Sequence, residues 1–418
     1  MNLTQPSYLN QIHFEQIQNL PWLDTLKKTA LEQFNLSGMP SIRNDNWKYS
    51  NLQLLTKQNF HLQPALDSQS KAMDLPNLFG HKIVFIDGLL KPELSNFKDI
   101  KENVEVYSLT SALAAMDLKP YINQLAKSVD HGFANLNTLL LQNGLVLKIN
   151  RDTRLSQPLH CIFYNTTPGF SNHLRNIIIT EPNCEFEFIE HYYHAGELNY
   201  VTNSMTEVFV AENTKMKFYK LIEESQQAYH VSHTLFSQQA HSQTYAFSAS
   251  QQGRFIRNDI SIQLAAEHAA CHLDGIYLTR GKQHVDQHTQ IHHLKPHTTS
   301  QEYYKGILHD FSRAIFNGQV FVHYDAHHCD AKQSNKNLLL SDKAEVDTRP
   351  QLEIYNDDVR CAHGATVGQI DENALFYLCS RGIDVATARQ MLMHAFAQDI
   401  IDAIPNLDIK NYLAGKLS

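Results

Sequence analysis

The segment Asp357–Gln369 reads DDVRCAHGATVGQ. On an extended strand Cys361 and His363 stand two residues apart and project from the same face. A thiolate beside an imidazole makes a soft-to-borderline ligand pair suited to iron, zinc or copper(I). The same two groups match a Cys–His nucleophile pair. Gly364, next in line, leaves room for another backbone to approach. With 6 Cys and 24 His in the chain, roughly 0.3 such C-x-H matches arise by chance. Two ligands cannot fill a tetrahedral site, so a metal here needs further ligands from elsewhere in the chain or from another chain. His327, His328 and Cys329 form a second cluster of the same kind.

Three other sets carry polar chemistry at regular spacing. His284, Asp286, His288, Gln290 and His292 share a face if they lie on a strand. Wound as a helix, His284, His288 and His292 would instead stack one turn apart and mimic a metal stripe. The alternation of Val285, Thr289 and Ile291 favours the strand, and with it a polar ladder. Gln333, Asn335 and Asn337 repeat at spacing two, so their amides share one face. In a coiled sheet such amides can hydrogen-bond between neighbouring coils, a structural role. Asp347, Glu353 and Asp357 could serve a glycan-cleaving groove, although their spacing is not distinctive.

The elements that must position these groups change along the chain. From Trp22 to Phe34, apolar Leu23, Leu26, Ala30, Leu31 and Phe34 follow helical spacing, and Gly38 and Pro40 punctuate its end. From about Lys82 to Val367, short runs alternate apolar and polar residues: Lys82–Asp87, Arg175–Thr180, Glu185–Glu190 and Lys217–Lys220. Each reads as a strand with one buried face. So many short strands, without long helices between them, exceed one sandwich and suggest a solenoid or a large barrel. Helices return at Asp371–Cys379, stopping near Gly382, and again after Asp384. In the last helix Met393, Phe396, Ala397, Ile400, Ile401 and Ile404 form an apolar stripe ahead of Pro405. The stripe fits packing on the protein's own body or docking into a partner's groove.

The chain has 418 residues, 43% hydrophobic and 19% charged, with a formal net charge of −8. That balance argues against a basic nucleic-acid binder. Met1–Asn10 lacks the apolar core of a secretion signal, and no run approaches a membrane span, which points to a cytoplasmic protein with no membrane role. Cys161, Cys184, Cys271, Cys329, Cys361 and Cys379 form no C-x-x-C pair and no disulfide framework. Neither a phosphate-binding P-loop nor a dinucleotide fingerprint is present. ATP-driven chemistry would therefore need another subunit.

At Asp330–Ser341, Ala344–Tyr355, Asp357–Gly368 and Ala374–Ile383 the chain resembles the D-subunit (SufD) family of the SUF iron–sulfur cluster assembly complex. Asp45–Tyr49 (DNWKY) is similar to that family's N-terminal signature. His363-Gly364-Ala365-Thr366 carries Gly where the paralogous B type has an acidic residue, and the longer, cysteine-bearing N-terminal region of that paralogue is missing. The resemblance implies a right-handed parallel β-helix core over 76–367, between an N-terminal helical region (1–75) and a C-terminal one (368–418). It implies a non-catalytic scaffold that pairs with a SufB-like paralogue through its last coils. A SufC-like ABC ATPase would dock on the C-terminal helices, with Met393, Phe396, Ile400 and Ile401 as the docking stripe, and sulfur-donor proteins would act indirectly. His363 and its neighbour Cys361 would be ligands of a transient iron–sulfur cluster at the interface. Cys329 stands where a small polar residue is expected and is left out of that site. Reduced flavin is associated with the family complex, but no motif here locates it, and self-pairing of the isolated chain stays open. The rivals are a β-helix carbohydrate-active enzyme and a Cys–His thiol enzyme.

Overall fold

Alternating strands of this length can close into a barrel or wind into a coil, and here they wind. The computed structural model describes residues 20–64, 75–76, 78, 80–126, 132–141 and 143–417, and the Met1–Asn10 segment lies outside them. One sheet is built from β1 (His81–Ile86), β5 (Leu159–Tyr164), β7 (Glu185–Tyr193), β9 (Lys215–Glu223), β11 (Gln243–Gln252), β13 (Ala270–Thr279), β15 (Thr299–Leu308), β17 (Cys329–Leu339) and β19 (Val359–Gln369), with β2 (Leu89–Leu90) folded back on β1. The other holds β3 (Val104–Ser108), β4 (Leu145–Ile149), β6 (Ser171–Thr180), β8 (Val201–Val210), β10 (Tyr229–Gln238), β12 (Phe255–Leu264), β14 (His284–His293), β16 (Arg313–Val322) and β18 (Glu345–Ile354). Each coil gives one strand to each sheet, and neighbours pair parallel and in register except at the antiparallel β1–β2 and β3–β4 starts and at a register shift between Ser250 and Gln252 where β11 meets β9. The result is a parallel β-solenoid of about 8 turns.

Period-two side chains send alternate residues inward, and in-register pairing stacks like positions from coil to coil. Ile83, Phe163, Phe188, Phe218, Leu273 and Phe316 belong to that inner core. Buried charges are paired on both faces: Lys220 with Glu190 at 3.2 Å inside the coil, and Arg175 with Glu207 at 2.9 Å on the outer face, where Arg175 also donates to Asn137 and Thr138 of the covering chain. Corner turns repeat too. Asn183, Asn213, His241, His268, His297 and His328 all adopt positive φ, between 56° and 64°. Asn and His enter this left-handed region more readily than most residues. The four imidazoles then stack at 4.9–5.0 Å, which absorbs part of the chain's histidine excess.

Helical ends cover the outer faces. Helix α1 (Pro21–Ser37) and α3 (Leu109–Ala115) pack Leu23, Leu109 and Leu113 on Ile177 and Ile179 of β6. The short α2 (Gln53–Thr56) and α4 (Gly132–Leu139) bring Leu55 and Phe133 onto Val201, Tyr229 and Phe255. On the opposite sheet, α5 (Glu372–Ser380), α6 (Val385–Asp402) and α7 (Leu407–Lys416) complete the chain. Asp371 and Asp384 cap α5 and α6 by accepting the Asn373 and Thr387 amides at 2.9 and 3.0 Å. Gly382 turns between them at φ 87°.

The apolar stripe of α6 goes to the protein's own body. Ile400 and Ile401 are buried with Ile404, Ile409 and Leu413 against Ile189, Tyr219, Leu221, Phe247, Ile276 and Ile307. Met393 and Phe396 are half-buried beside them. The docking reading is corrected for two of the four residues: Ile400 and Ile401 fasten the C-terminal helices to the solenoid and are not presented outward.

Candidate functional site

β19 and β18 end their sheets, so each keeps one ladder edge without a neighbour. Unpaired N–H and C=O groups make such an edge a template for another chain. Register sets Cys361 beside Ala331, His363 beside Gln333, Ala365 beside Asn335 and Val367 beside Asn337. The four β17 partners are buried, alternating with half-buried or exposed Lys332, Ser334 and Lys336. Cys361, His363, Ala365 and Val367 therefore sit on the inner face of the solenoid. Among the described residues no further coil covers them, and His363, Ala365 and Val367 are exposed. The shared face read from the sequence is thus the uncapped interior of the coil.

Cys361 is half-buried and packs on the end of the core. Burial pushes its thiol up from the ordinary value, and the neighbouring Cys329 and Asp330 add to this against an opposing hydrogen bond at Ala331. At neutral pH the group is a protonated thiol, ready for a metal to displace its proton but poorly suited to nucleophilic attack. Gly364 and Gly368 meet nothing within 4 Å where a side chain would begin, so this strand offers a bare surface.

The other sequence candidates separate. Cys329 is buried, its Sγ 3.1 Å from Thr298 Oγ1, whereas His328 points outward to Asp358 at 2.8 Å and His327 meets Asn356 at 3.0 Å. The Gln283–His292 run is a strand from His284 on, and its outward His284, Asp286 and His288 join one hydrogen-bonded set with Ser50 while His292 stands apart. Ser50 Oγ lies 2.9 Å from His284 Nε2, His288 reaches Asp286 at 2.9 Å, and His292 stacks on Phe321 at 4.5 Å. Among the described residues no three His, Cys, Asp or Glu side chains are grouped to hold a metal ion. Asp347 and Glu353 lie six positions apart on β18, about 20 Å at strand rise, far wider than a glycosidase pair. Asp347 accepts from Arg313 at 2.8 Å and Glu353 from Tyr355 at 3.1 Å.

The Gln333, Asn335 and Asn337 amides do share the inner face, but they bond differently from the expected coil-to-coil amide stack. Asn337 donates to Asn335 within its own strand at 2.6 Å, and Asn335 donates to the Tyr277 hydroxyl at 3.2 Å. An amide ladder does exist, on the outer face, where Gln290 donates to Gln319 at 3.0 Å and Gln319 meets Gln351 at 2.8 Å. Sequence reasoning passed over Glu302, buried on the inner face. It accepts from Thr289 at 2.5 Å and from Gln333 at 2.7 Å. Burial pushes its carboxyl up to about 7 despite those donors. Its signal was the alternation Ser300, Glu302, Tyr304.

The DNWKY island has a structural task. Trp47 is buried with the Arg257 guanidinium 4.6 Å over its ring. Arg257 donates to the Asn46 carbonyl and to Asp286, each at 2.7 Å, and Ser50 donates to the same carboxylate. Burial alone would raise Asp286, but Arg257 and His288 outweigh it and hold the carboxyl below its ordinary range.

Comparison with known proteins converges on one family. The family described as "SUF system FeS cluster assembly, SufBD core domain" matches residues 163–396, and "SufBD protein N-terminal region" matches residues 8–161. The chain is 29% identical to the iron–sulfur cluster assembly protein SufD of Escherichia coli over 401 residues, covering 93% of this chain and 90% of that one. It is 28% identical to an iron–sulfur cluster assembly SufBD family protein of Synechocystis over 394 residues, 90% and 86% of the two chains. With SufD of Bacillus subtilis it shares 25% over 421 residues, 96% and 94% of the two. Matches over both halves and at nearly full length leave one assignment: the chain belongs to the SufBD family of the SUF iron–sulfur cluster assembly system, alongside its SufD members.

Proposed function

We propose that this chain is a cytoplasmic, non-catalytic scaffold that builds iron–sulfur clusters together with a paralogous B-type subunit and an ABC-type ATPase. The observation that carries the reading is the open last coil, which exposes His363 on an inner face beside an unpaired strand edge. A paralogous solenoid end would extend both sheets and bring its own ligands over His363 and Cys361. The nascent cluster is the cargo of that interface. A neutral imidazole holds iron less tightly than a thiolate does, which suits a site that must release what it builds.

The ATPase would dock on the outer side of the C-terminal helices, where Phe376, Tyr377, Val385 and Met391 are exposed. Phe376, at 74% exposure, is the most open of them. Ile400 and Ile401 contribute by holding that platform on the solenoid.

The test is His363→Ala in the complex co-expressed with both partners. Cluster yield, read by visible absorption after reconstitution, should fall several-fold while size-exclusion chromatography shows the same assembly. An unchanged yield would refute the role of His363.

A further inference from the structure

A column of inward side chains leads to the open end. Register places Glu302 on β15, Gln333 on β17 and His363 on β19 directly above one another. Successive members are separated by about 4.8 Å, the spacing of paired strands. Glu302 is 1% exposed and Gln333 4%. The Gln333 Nε2 donates to Glu302 Oε2 at 2.7 Å, and Thr289 donates to Glu302 Oε1 at 2.5 Å. Once ionised, as at pH 8, a carboxylate that accepts on both oxygens has no donor to offer, so it fixes which end of the amide faces it.

That leaves the other end. Gln333 Oε1 is buried and accepts from none of the described residues. A buried acceptor without a partner has given up its hydrogen bonds to water with nothing in return. The amide is also hemmed in: a Cβ at Gly318, on the facing sheet, would come within 2.3 Å of Gln333 Nε2. One rung up, a neutral imidazole carries a single N–H donor and a single lone-pair nitrogen.

We propose that Gln333 is a positioning residue for His363, its Oε1 accepting the imidazole N–H and so selecting one ring tautomer. Rotation of the exposed ring brings the N–H to that oxygen. The remaining ring nitrogen then presents its lone pair at the rim, as outer-shell acceptors do for metal-bound histidines. Glu302 and Thr289 act through Gln333 by holding the amide in the orientation that keeps its oxygen outward. The inference rests on the reading of His363 as a cluster ligand, but its test needs neither cluster nor partner.

The experiment is nitrogen-15 NMR of the full chain with labelled histidine at pH 8, His363 being assigned by its loss in His363→Ala. In the unmodified protein one tautomer of His363 should dominate. In Gln333→Met, which keeps length and volume but lacks the amide, the ratio should move to that of an exposed histidine in a short peptide. A ratio already equal to that peptide's in the unmodified protein, or one unmoved by Gln333→Met, overturns the proposal. If Gln333→Met does not fold, the ratio in the unmodified protein decides alone. A fixed tautomer with an unaffected cluster yield in His363→Ala would sink the ligand reading and leave the positioning intact; a free tautomer with a lost yield would do the reverse.

Discussion

Cys361 and His363 share a face but not an environment. The imidazole is exposed, whereas the thiol lies against the last layer of core with its proton retained. This contrast separates a ligand pair from a nucleophile pair, since a catalytic cysteine needs an electropositive setting that lowers its pKa. Burial here acts in the opposite direction. Cys361 of the isolated chain should therefore react with iodoacetamide at pH 7.5 more slowly than glutathione does, its rate climbing with pH to above 9. Peptide mass spectrometry would follow it apart from the five other free cysteines. A rate above that of glutathione, flat across neutral pH, would restore the thiol-enzyme reading. The pairing of Cys361 with His363 was legible because period two is enough to place both on one face. That the face is an interior, and that Glu302 and Gln333 stand beneath it, was not legible, because strand alternation marks two faces without saying which is covered.

At the scale of elements, the helix over Trp22–Phe34, the strand runs and the caps at Asp371 and Asp384 were written locally and appear where their patterns lie. The coil period was hidden because rungs differ in length. Tyr229 pairs with Phe255, but Arg313 pairs with Glu345. The destination of the α6 stripe was hidden because an apolar helix face looks alike against its own sheet and against a partner. Coil-to-coil fit is another property that only register reveals. Gly275 lies beside Tyr304 and Tyr277 beside Gly306, so each ring occupies the space over the other coil's glycine. A Cβ at Gly306 would stand 2.1 Å from the Tyr277 ring and 2.4 Å from Asn337 Oδ1. Gly306→Ala should thus destabilise the isolated chain by about 1–3 kcal/mol, the usual cost of overpacking. Gly364→Ala, at the open rim, should stay within about 0.5 kcal/mol, as unconstrained surface changes do. Urea denaturation of the two variants is the measure, and equal midpoints would mean that the ring-over-glycine packing does not constrain the coil.

For the whole molecule, the helical ends that cover the outer faces and the inner axis of the coil both hold titratable groups away from water, so its stability must follow pH. Burial pushes His173 and His191 down to about 3 and His293 down to about 4. A histidine depressed in the folded state contributes stability that is complete above its unfolded pKa, near 6.5, and is lost as pH falls toward the folded value. Each gives up about 1.4 kcal/mol per pH unit in that window. Glu302 works against them. Its folded value of about 7 lies above the unfolded one, so its contribution is full below about 4.5 and disappears as pH rises through 7. Burial also pushes His284 and His292 down to about 4, so five histidines against one carboxyl leave a net loss of about 5–6 kcal/mol per pH unit on acidification from 6.5 to 5. Against a typical stability of about 5–15 kcal/mol, that is enough to bring the chain to unfolding near pH 4–5. Glu302→Gln removes the opposing group, so its loss should steepen by about 1.4 kcal/mol per unit, and its gain over the parent should be larger at pH 7.5 than at pH 5. Urea midpoints of both proteins at pH 7.5, 6.5 and 5.5 test this. A flat profile would show the buried histidines already charged or solvated, and parallel profiles would show that Glu302 titrates as an ordinary carboxylate.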